Sequence, residues 1–306
     1  MNKIEAVYVD WHAPRKFRGA SSPVKKPWEI ALIIRSTYFA REANSWSPVL
    51  YCDEITYAYY DKIGLLDHFD KVYPILPLTD IGFDPNIFWA GAKFIAMKNC
   101  DSPFVMMDLD AEIRFEVDLS AYDAFFTHYE GIIPGDIKFY PDPEYLDTDG
   151  FFKERYSFEW GEKAFNTCIF HIKDLILAKE YANAALDFMY GVSSVNPAFE
   201  KVPYILLAEQ RFVYEFCKIK NLKVGTLIKG EYIPTNYMHG VDSFINSDLA
   251  EIGEKGFLHV WGYKSNLNGN DEEAESFFGN LISTAPQLSK HIVNSVSLNT
   301  ELTLDK

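Results

Sequence analysis

FVMMDLDAEI, residues 104–113, is the stretch on which the reading of this chain turns. An apolar run through Phe104, Val105, Met106 and Met107 meets two aspartates, Asp108 and Asp110, with only Leu109 between them. A short continuous apolar run is the pattern of a strand buried on both faces, as in a parallel sheet. Two carboxylates brought close together are unfavourable unless a cation or a proton compensates them. The strand and its acidic end therefore pose one question: what the carboxylates face.

The flanking sequence sets the fold class. Upstream, IEAVYV (4–9) reads as a strand. WEIALIIRSTYFAREA (28–43) has helical periodicity behind Pro27, and SPVLYCD (47–53) is again a strand. EITYAYYDKIG (54–64) reads as a helix closed by Gly64, KVYPILPL (71–78) is extended, and NIFWAGAKFIAMKNC (86–100) is helical. Strands alternating with helices predict an α/β fold with a mixed, mainly parallel central sheet flanked by helices. In such sheets ligands bind beyond the carboxyl ends of the strands, where Asp108 and Asp110 fall.

Downstream the alternation is less regular. Residues 121–131 and 164–172 read as strands, 174–191 and 203–221 as helices, and GFLHVWG (256–262) as a late strand. Residues 134–160 read as a loop rich in Pro, Asp and Glu. With no linker and no internal repeat, a single domain over 1–285 is expected, followed by a poorly ordered tail at 286–306.

Composition excludes some functions. A formal charge of −15 argues against a nucleic-acid polymer as partner, since neutralising phosphates takes Lys and Arg. Cys52, Cys100, Cys168 and Cys217 are far apart and read as reduced, buried thiols. The stretch MNKIEAVYVDW reads as a strand rather than a signal peptide, and no run has transmembrane length. A cytoplasmic location is expected, with peripheral membrane contact if the acceptor is lipid-linked.

For D-x-D at a strand end, two readings stand side by side: a site where a hard divalent cation holds a diphosphate, or a pair of solvated acids. A haloacid-dehalogenase-type phosphatase also has an apolar strand and D-x-D. However, Glu112 stands where that motif has Thr or Val, and three α/β units precede the motif here. Further candidates lie downstream. FLHVWGYKS (257–265) carries His259, Gly262 and Lys264, an imidazole suited to a metal and a lysine suited to a phosphate. FNTCIF (165–170) places Asn166 at the start of an apolar strand, and AEQRF (208–212) places Glu209 and Gln210 in an apolar helix. Their bland readings are a packed histidine and a structural salt-bridge acid.

Taken in order, Asp108-Leu109-Asp110, Asn166-Thr167-Cys168, Glu209-Gln210 and His259-Val260-Trp261-Gly262-Tyr263-Lys264 resemble the motifs of GT-A-fold glycosyltransferases, most closely the family 8 and glycogenin-like group. Lys93 resembles that group's cation on the helix before the D-x-D strand. There are departures. Cys168 replaces the glycine after Asn, Glu209 replaces Asp, Lys264 is one residue closer to the histidine, and the following Pro-Trp is absent.

The resemblance implies a GT-A, Rossmann-like nucleotide-diphospho-sugar transferase fold. Residues up to about 115 would form the nucleotide-binding half, and 116–285 the donor-sugar and acceptor half. It implies that Asp108, Asp110 and His259 bind Mn²⁺ or Mg²⁺ across the diphosphate of a nucleotide-sugar, a UDP-sugar, and that Asp108 reaches the ribose. Lys264 and Gly262 would assist at the diphosphate, and Lys93 at the donor sugar or phosphate. Asn166, Glu209 and Gln210 would line the sugar pocket, with Gln210 nearest the anomeric carbon and retention of configuration as the outcome. The acceptor, a glycan or a lipid-linked sugar, is not legible. A non-catalytic nucleotide-sugar- or glycan-binding relative is the alternative. The basic loop 15–26 would cover the diphosphate or be merely solvated, and the acidic loop 141–150 would border an acceptor cleft. That loop is not an EF-hand, because Tyr145 and Tyr156 occupy its first and last ligand positions.

Overall fold

The structure, a computed structural model, describes residues 3–17, 19, 23–135, 138–147, 150–192, 195–196, 198, 200–233, 244–245, 248–260 and 263–304. The strands are β1 (Glu5–Asp10), β2 (Ser47–Cys52), β3 (Lys71–Tyr73), β4 (Phe104–Met107), β5 (Ala111–Ile113), β6 (Ala124–Gly131), β7 (Lys163–Ile172), β8 (Val224–Thr226), β9 (Glu231–Tyr232), β10 (Phe244–Ile245) and β11 (Phe257–His259). The helices are α1 (Ala13–Phe17), α2 (Pro27–Glu42), α3 (Glu54–Lys62), α4 (Gly91–Asn99), α5 (Phe151–Tyr156), α6 (Leu175–Gly191), α7 (Val202–Leu206), α8 (Phe212–Ile219), α9 (Leu249–Lys255), α10 (Lys264–Gly269), α11 (Asp271–Ser283) and α12 (Ser289–Leu304). A π turn, Leu207–Arg211, joins α7 to α8. The architecture is the expected α/β one, a mixed and mainly parallel sheet flanked by helices. The chain divides into two compact units. The first comprises residues 1–76, 107–117 and 253–306, and the second 77–106 and 118–252. The division thus does not follow a single boundary near residue 115.

In the first unit β1, β2 and β3 run parallel, with Tyr8 opposite Leu50 and Leu50 opposite Val72. Beside this ladder α2 is buried along most of its length, from Trp28 through Thr37. That burial includes Arg35, which is tolerated because it is fully paired. Its Nε and Nη2 donate to Glu112 of β5 at 2.6 and 2.8 Å, and Nη1 donates to the Leu281 carbonyl and to Thr284 Oγ1. Removing one partner of such a buried pair would strand the other charge. The pair therefore pins β5, the strand that follows D-x-D, to α2 and α11. The expected tail is instead α12, docked on α2. Asn299 accepts from Tyr59 Oη at 2.7 Å and donates to the Lys25 carbonyl at 3.1 Å. A helix held by a two-sided amide on its buried face is ordered by tertiary contact, despite the poor helix propensity of its Ser, Thr and Asn residues.

In the second unit the strand order is β10-β9-β6-β7-β4, with β8 also against β6. β6 and β7 are antiparallel, and their register shifts between Phe126 and His128. Such a bulge re-aims the side chains beyond it. Here those are His128 and Glu130, opposite Asn166 and Ala164 of β7. The helix expected over 86–100 is shorter, because Asp84 closes an Asx turn onto Asn86 N at 2.7 Å and turns occupy the residues before Gly91. The stretch expected as loop contains α5, whose first turn donates from Phe151 N and Phe152 N to Asp147 at 2.7 and 3.0 Å. Asp142 likewise caps the turn at Pro143–Tyr145. Two acids of the acidic loop therefore have local capping roles.

Candidate functional site

The first unit brings together four of the residues singled out in the sequence. β5 and β11 pair antiparallel, with His259 opposite Ala111, and Val260 N donates to the Asp110 carbonyl at 3.2 Å. That register sets the imidazole beside the D-x-D turn. His259 Nε2 lies 3.8 Å from Asp108 Oδ2 and 3.8 Å from Asp110 Oδ2. The ladder depends on Gly256. Its φ of +113° suits glycine, and a Cβ there would come within 2.7 Å of Arg114 Cβ. Lys264, at the start of α10, places Nζ 2.8 Å from Asp110 Oδ2. Gly262 lies outside the described residues.

Asp110 is buried, which by itself would raise its carboxyl pKa. The charges of Lys264 and His259 outweigh burial and hold it below the usual carboxylate range. Burial would likewise depress Lys264, yet Asp110 and then Asp108 hold it above the usual lysine value. The Lys264 ammonium pairs with the buried Asp110 Oδ2 at 2.8 Å, so a cation bound there would compete with it for that oxygen. Two carboxylates and an imidazole form a donor set that suits a hard or borderline divalent cation. The residues present therefore fit the metal that the resemblance implies.

Where it is described, the basic loop 15–26 is solvated at Lys16 and Lys26 and structural at Lys25. Lys25 is buried and bound to Asp10 Oδ2 at 2.8 Å, an oxygen that also accepts from Tyr60 Oη at 2.7 Å. Burial works against ionisation of Asp10, but Lys25 and Arg15 overcome it and lower its pKa. Lys25 thus neutralises a buried acid at the end of β1.

The second unit gathers the remaining candidates around the π turn. Lys93 of α4 pairs with Glu209 Oε1 at 2.7 Å, and Thr167 Oγ1 donates to the same oxygen at 2.9 Å. Glu209 thus has the salt-bridge partner that its bland reading required. Asn166 is buried; it accepts from Cys168 N at 3.2 Å and donates to Glu130 Oε1 at 3.0 Å. Glu130 also binds Tyr140 Oη, which donates to Gln210 Oε1 at 2.5 Å. Burial pushes the Glu130 carboxyl up, and His128, Tyr140 and Asn166 more than reverse this, so it lies below its usual range.

Glu130 and Tyr140 were not read as site residues from the sequence. Glu130 ends an ordinary β pattern and Tyr140 sits in a loop, so no local signal marked them. The four cysteines are buried and unbridged, as expected, and burial pushes Cys52 and Cys217 well above the usual thiol range.

No protein-family model matches the chain, and no curated protein matches it. Among solved structures it is similar to the bifunctional glycosyltransferase WbbM, at 9% identity and a TM-score of 0.35 over 67% of this chain and 37% of that one. It is also similar to the galactosyltransferase LgtC, solved with donor and acceptor sugar analogues, at 13% identity and a TM-score of 0.32 over 67% and 70% of the two chains. A third similarity is to a nucleoside-diphosphate-sugar pyrophosphorylase from Vibrio cholerae RC9, at 12% identity and a TM-score of 0.35 over 74% and 91%. The chain spans 37% of the length of WbbM. Among the described residues no helix is long and apolar enough to cross a membrane.

Proposed function

We propose that the protein is a metal-dependent glycosyltransferase that takes a sugar from a nucleotide-sugar, a UDP-sugar, and passes it to a glycan or lipid-linked acceptor. The observation that carries this reading is the β5–β11 register, which sets His259 Nε2 3.8 Å from both Asp108 and Asp110. An imidazole within reach of two acids is a donor set that a divalent cation such as Mn²⁺ accepts. Asp108, Asp110 and His259 would hold Mn²⁺ or Mg²⁺. Bound there, the cation supplies positive charge against a diphosphate leaving group.

The side chains of the chain supply the rest. Lys264 carries a charge already drawn to Asp110, and a diphosphate offers it a competing anion. In the second unit, Glu209 and Gln210 are assigned to the donor sugar, with Lys93 and Thr167 orienting Glu209. Gln210, half-buried and uncharged, offers a polar group at the anomeric carbon without a fixed charge. The resemblance to retaining transferases favours retention of configuration.

The test is thermal. UDP should raise the melting temperature in Mn²⁺ and hardly at all in EDTA, because a ligand at 100-fold excess over its Kd stabilises by roughly 2.7 kcal/mol. Equal shifts with and without metal would remove the metal bridge. Hydrolysis of a panel of nucleotide-sugars, followed by NMR of the anomeric product, separates an enzyme from a binding protein and reports the stereochemistry.

A further inference from the structure

A glutamine amide has two ends of opposite kind, a carbonyl that accepts and an NH₂ that donates. In Gln210 one of them is already engaged. Tyr140 Oη lies 2.5 Å from Gln210 Oε1. That separation lies within the range of an O–H···O bond and below that of an amide N–H on oxygen, so the end of the amide on Tyr140 is its carbonyl. A carbonyl only accepts, which gives the contact its direction: Tyr140 donates to Gln210. Glu130 Oε2, the other neighbour of the hydroxyl, is an oxygen as well. Burial pushes the phenol well above its usual pKa, so the donor keeps its proton at any working pH.

The contact is held from both sides, within the second unit. Arg211, the next residue of the π turn, donates from Nη1 to the Pro141 carbonyl at 2.8 Å and from Nη2 to the Gly161 carbonyl at 3.2 Å. The loop that carries Tyr140 is thereby tied to the turn that carries Gln210 through bonds that involve neither residue. Behind the phenol, Glu130 is itself held by the Asn166 NH₂ at 3.0 Å. An amide group is planar, so with Oε1 on Tyr140 the Gln210 NH₂ is turned away from it. Gln210 is half-buried, and among the described residues nothing accepts from that NH₂.

We infer that Tyr140 is a positioning residue that holds Gln210 by its carbonyl oxygen, and that Gln210 meets the donor with its NH₂, giving a hydrogen bond to the diphosphate oxygen that departs from the anomeric carbon. The inference deepens the transferase reading and rests on it. As that bond breaks, its electron pair stays on the phosphate oxygen. A donor already aimed at this oxygen binds it more strongly in the transition state than before it. Gln210 gives up no proton; the hydroxyl that forms the new bond to the anomeric carbon releases one. A carbonyl oxygen that accepts a short bond from a phenol has less electron density to give, so Gln210 forms no covalent link to the sugar.

The orientation is read without turnover, in the full chain labelled with ¹³C at the glutamine Cδ. The Gln210 signal is assigned by its loss in Gln210→Ala. In the wild type it should lie downfield of a free amide, as expected of a carbonyl that accepts a short hydrogen bond. Tyr140→Phe keeps the ring, removes the donor and should return the signal towards the free position. A Gln210 Cδ signal that Tyr140→Phe leaves unchanged would overturn the inference.

Turnover tests the role of the NH₂. Gln210→Glu keeps an oxygen for Tyr140 and replaces the NH₂ by a second oxygen. At neutral pH it should lower kcat for donor hydrolysis on the order of a hundredfold, with KM for the donor little changed. The loss should shrink as pH falls, because a protonated carboxyl again offers a donor. Tyr140→Phe should cost on the order of tenfold in kcat and nothing further in a Gln210→Ala background. Melting curves show that the variants are folded. Wild-type turnover or better in Gln210→Glu at neutral pH, or a glycosyl adduct on the substituted side chain in the intact mass, would put an oxygen at the anomeric carbon and overturn the inference. The same loss from Tyr140→Phe in both backgrounds would remove the positioning role. If the wild type turns over no donor, it is the transferase reading that fails. The departing oxygen falls with it, and the Cδ signal still decides which end of the amide Tyr140 holds.

Discussion

Lys264 separates two roles that usually go together in a phosphate site. Its ammonium lies 2.8 Å from Asp110 Oδ2, the same buried oxygen that the cation site would use. Ammonium and metal therefore compete for one acceptor, whereas ammonium and diphosphate attract. Lys264→Ala is expected to bind Mn²⁺ at least as tightly as the wild type when no nucleotide is present. It should bind UDP in Mn²⁺ on the order of tenfold more weakly, about 1.4 kcal/mol. Titration calorimetry of Mn²⁺ alone, then of UDP in Mn²⁺, tests both halves; a parallel loss of both affinities would make Lys264 a prop for the metal site instead. The residues of this cluster were legible in the sequence because an apolar run ending in D-x-D is a pattern in itself. His259 was legible only through its order along the chain. Its partner across the ladder, Ala111, carries no chemical signal, so the sequence alone could not show that the imidazole meets both carboxylates.

At the scale of elements, the π turn Leu207–Arg211 is the feature that presents Glu209 and Gln210. In it Phe212 N reaches back to the Leu207 carbonyl, one residue farther than in an α-helix. A carbonyl deprived of its ordinary donor and kept from water needs a replacement. Tyr181 Oη, fully buried on α6, supplies one, within 3.1 Å of the Ala208 carbonyl and 2.7 Å of the Glu209 carbonyl. Burial pushes this hydroxyl well above its usual pKa, so it remains a donor at any working pH. Tyr181→Phe keeps the ring and removes the donor. It is expected to lower stability by about 1–3 kcal/mol, the range for an unsatisfied buried acceptor, and to lower turnover with it. Urea unfolding checks the first effect, and an unchanged midpoint would show that the turn has another donor. The sequence showed a helix here, because an i to i+5 step leaves the apolar spacing of its neighbours intact. The strands fared better: β2, β6 and β7 fall within a few residues of their expected limits, since their apolar runs are long and bounded by polar residues.

The whole molecule divides in a way that no composition shift announced. The first unit is assembled from three stretches, and the last of them closes it through α12. That closure carries a pH dependence. His68, between α3 and β3, lies against His291 of α12, ring centroids 5.6 Å apart and nearly perpendicular. Burial first, then the neighbouring His291 and Arg41, lower the His68 pKa from 6.5 to about 4; Asp67 opposes them weakly. Arg41 is anchored to Asp70 at 2.9 Å and to the His68 carbonyl at 2.7 Å, so it cannot easily move away. The folded state therefore refuses a proton that the unfolded chain accepts. Stability contributed by neutral His68 is intact above the unfolded pKa, is lost as pH falls from 6.5 towards 4, and is flat below that. The linkage amounts to about 2 kcal/mol at about pH 5. His68→Asn removes the titrating group and should lose correspondingly less stability than the wild type between about pH 7.5 and about pH 5. Paired urea unfolding curves at the two pH values isolate this difference, because every other titrating group is common to both proteins. An NMR titration placing the His68 pKa near 6.5, or equal losses in the two proteins, would mean that α12 does not shut this imidazole away. The C-terminal helix would then not be the closing element of the unit that holds Asp108, Asp110 and His259.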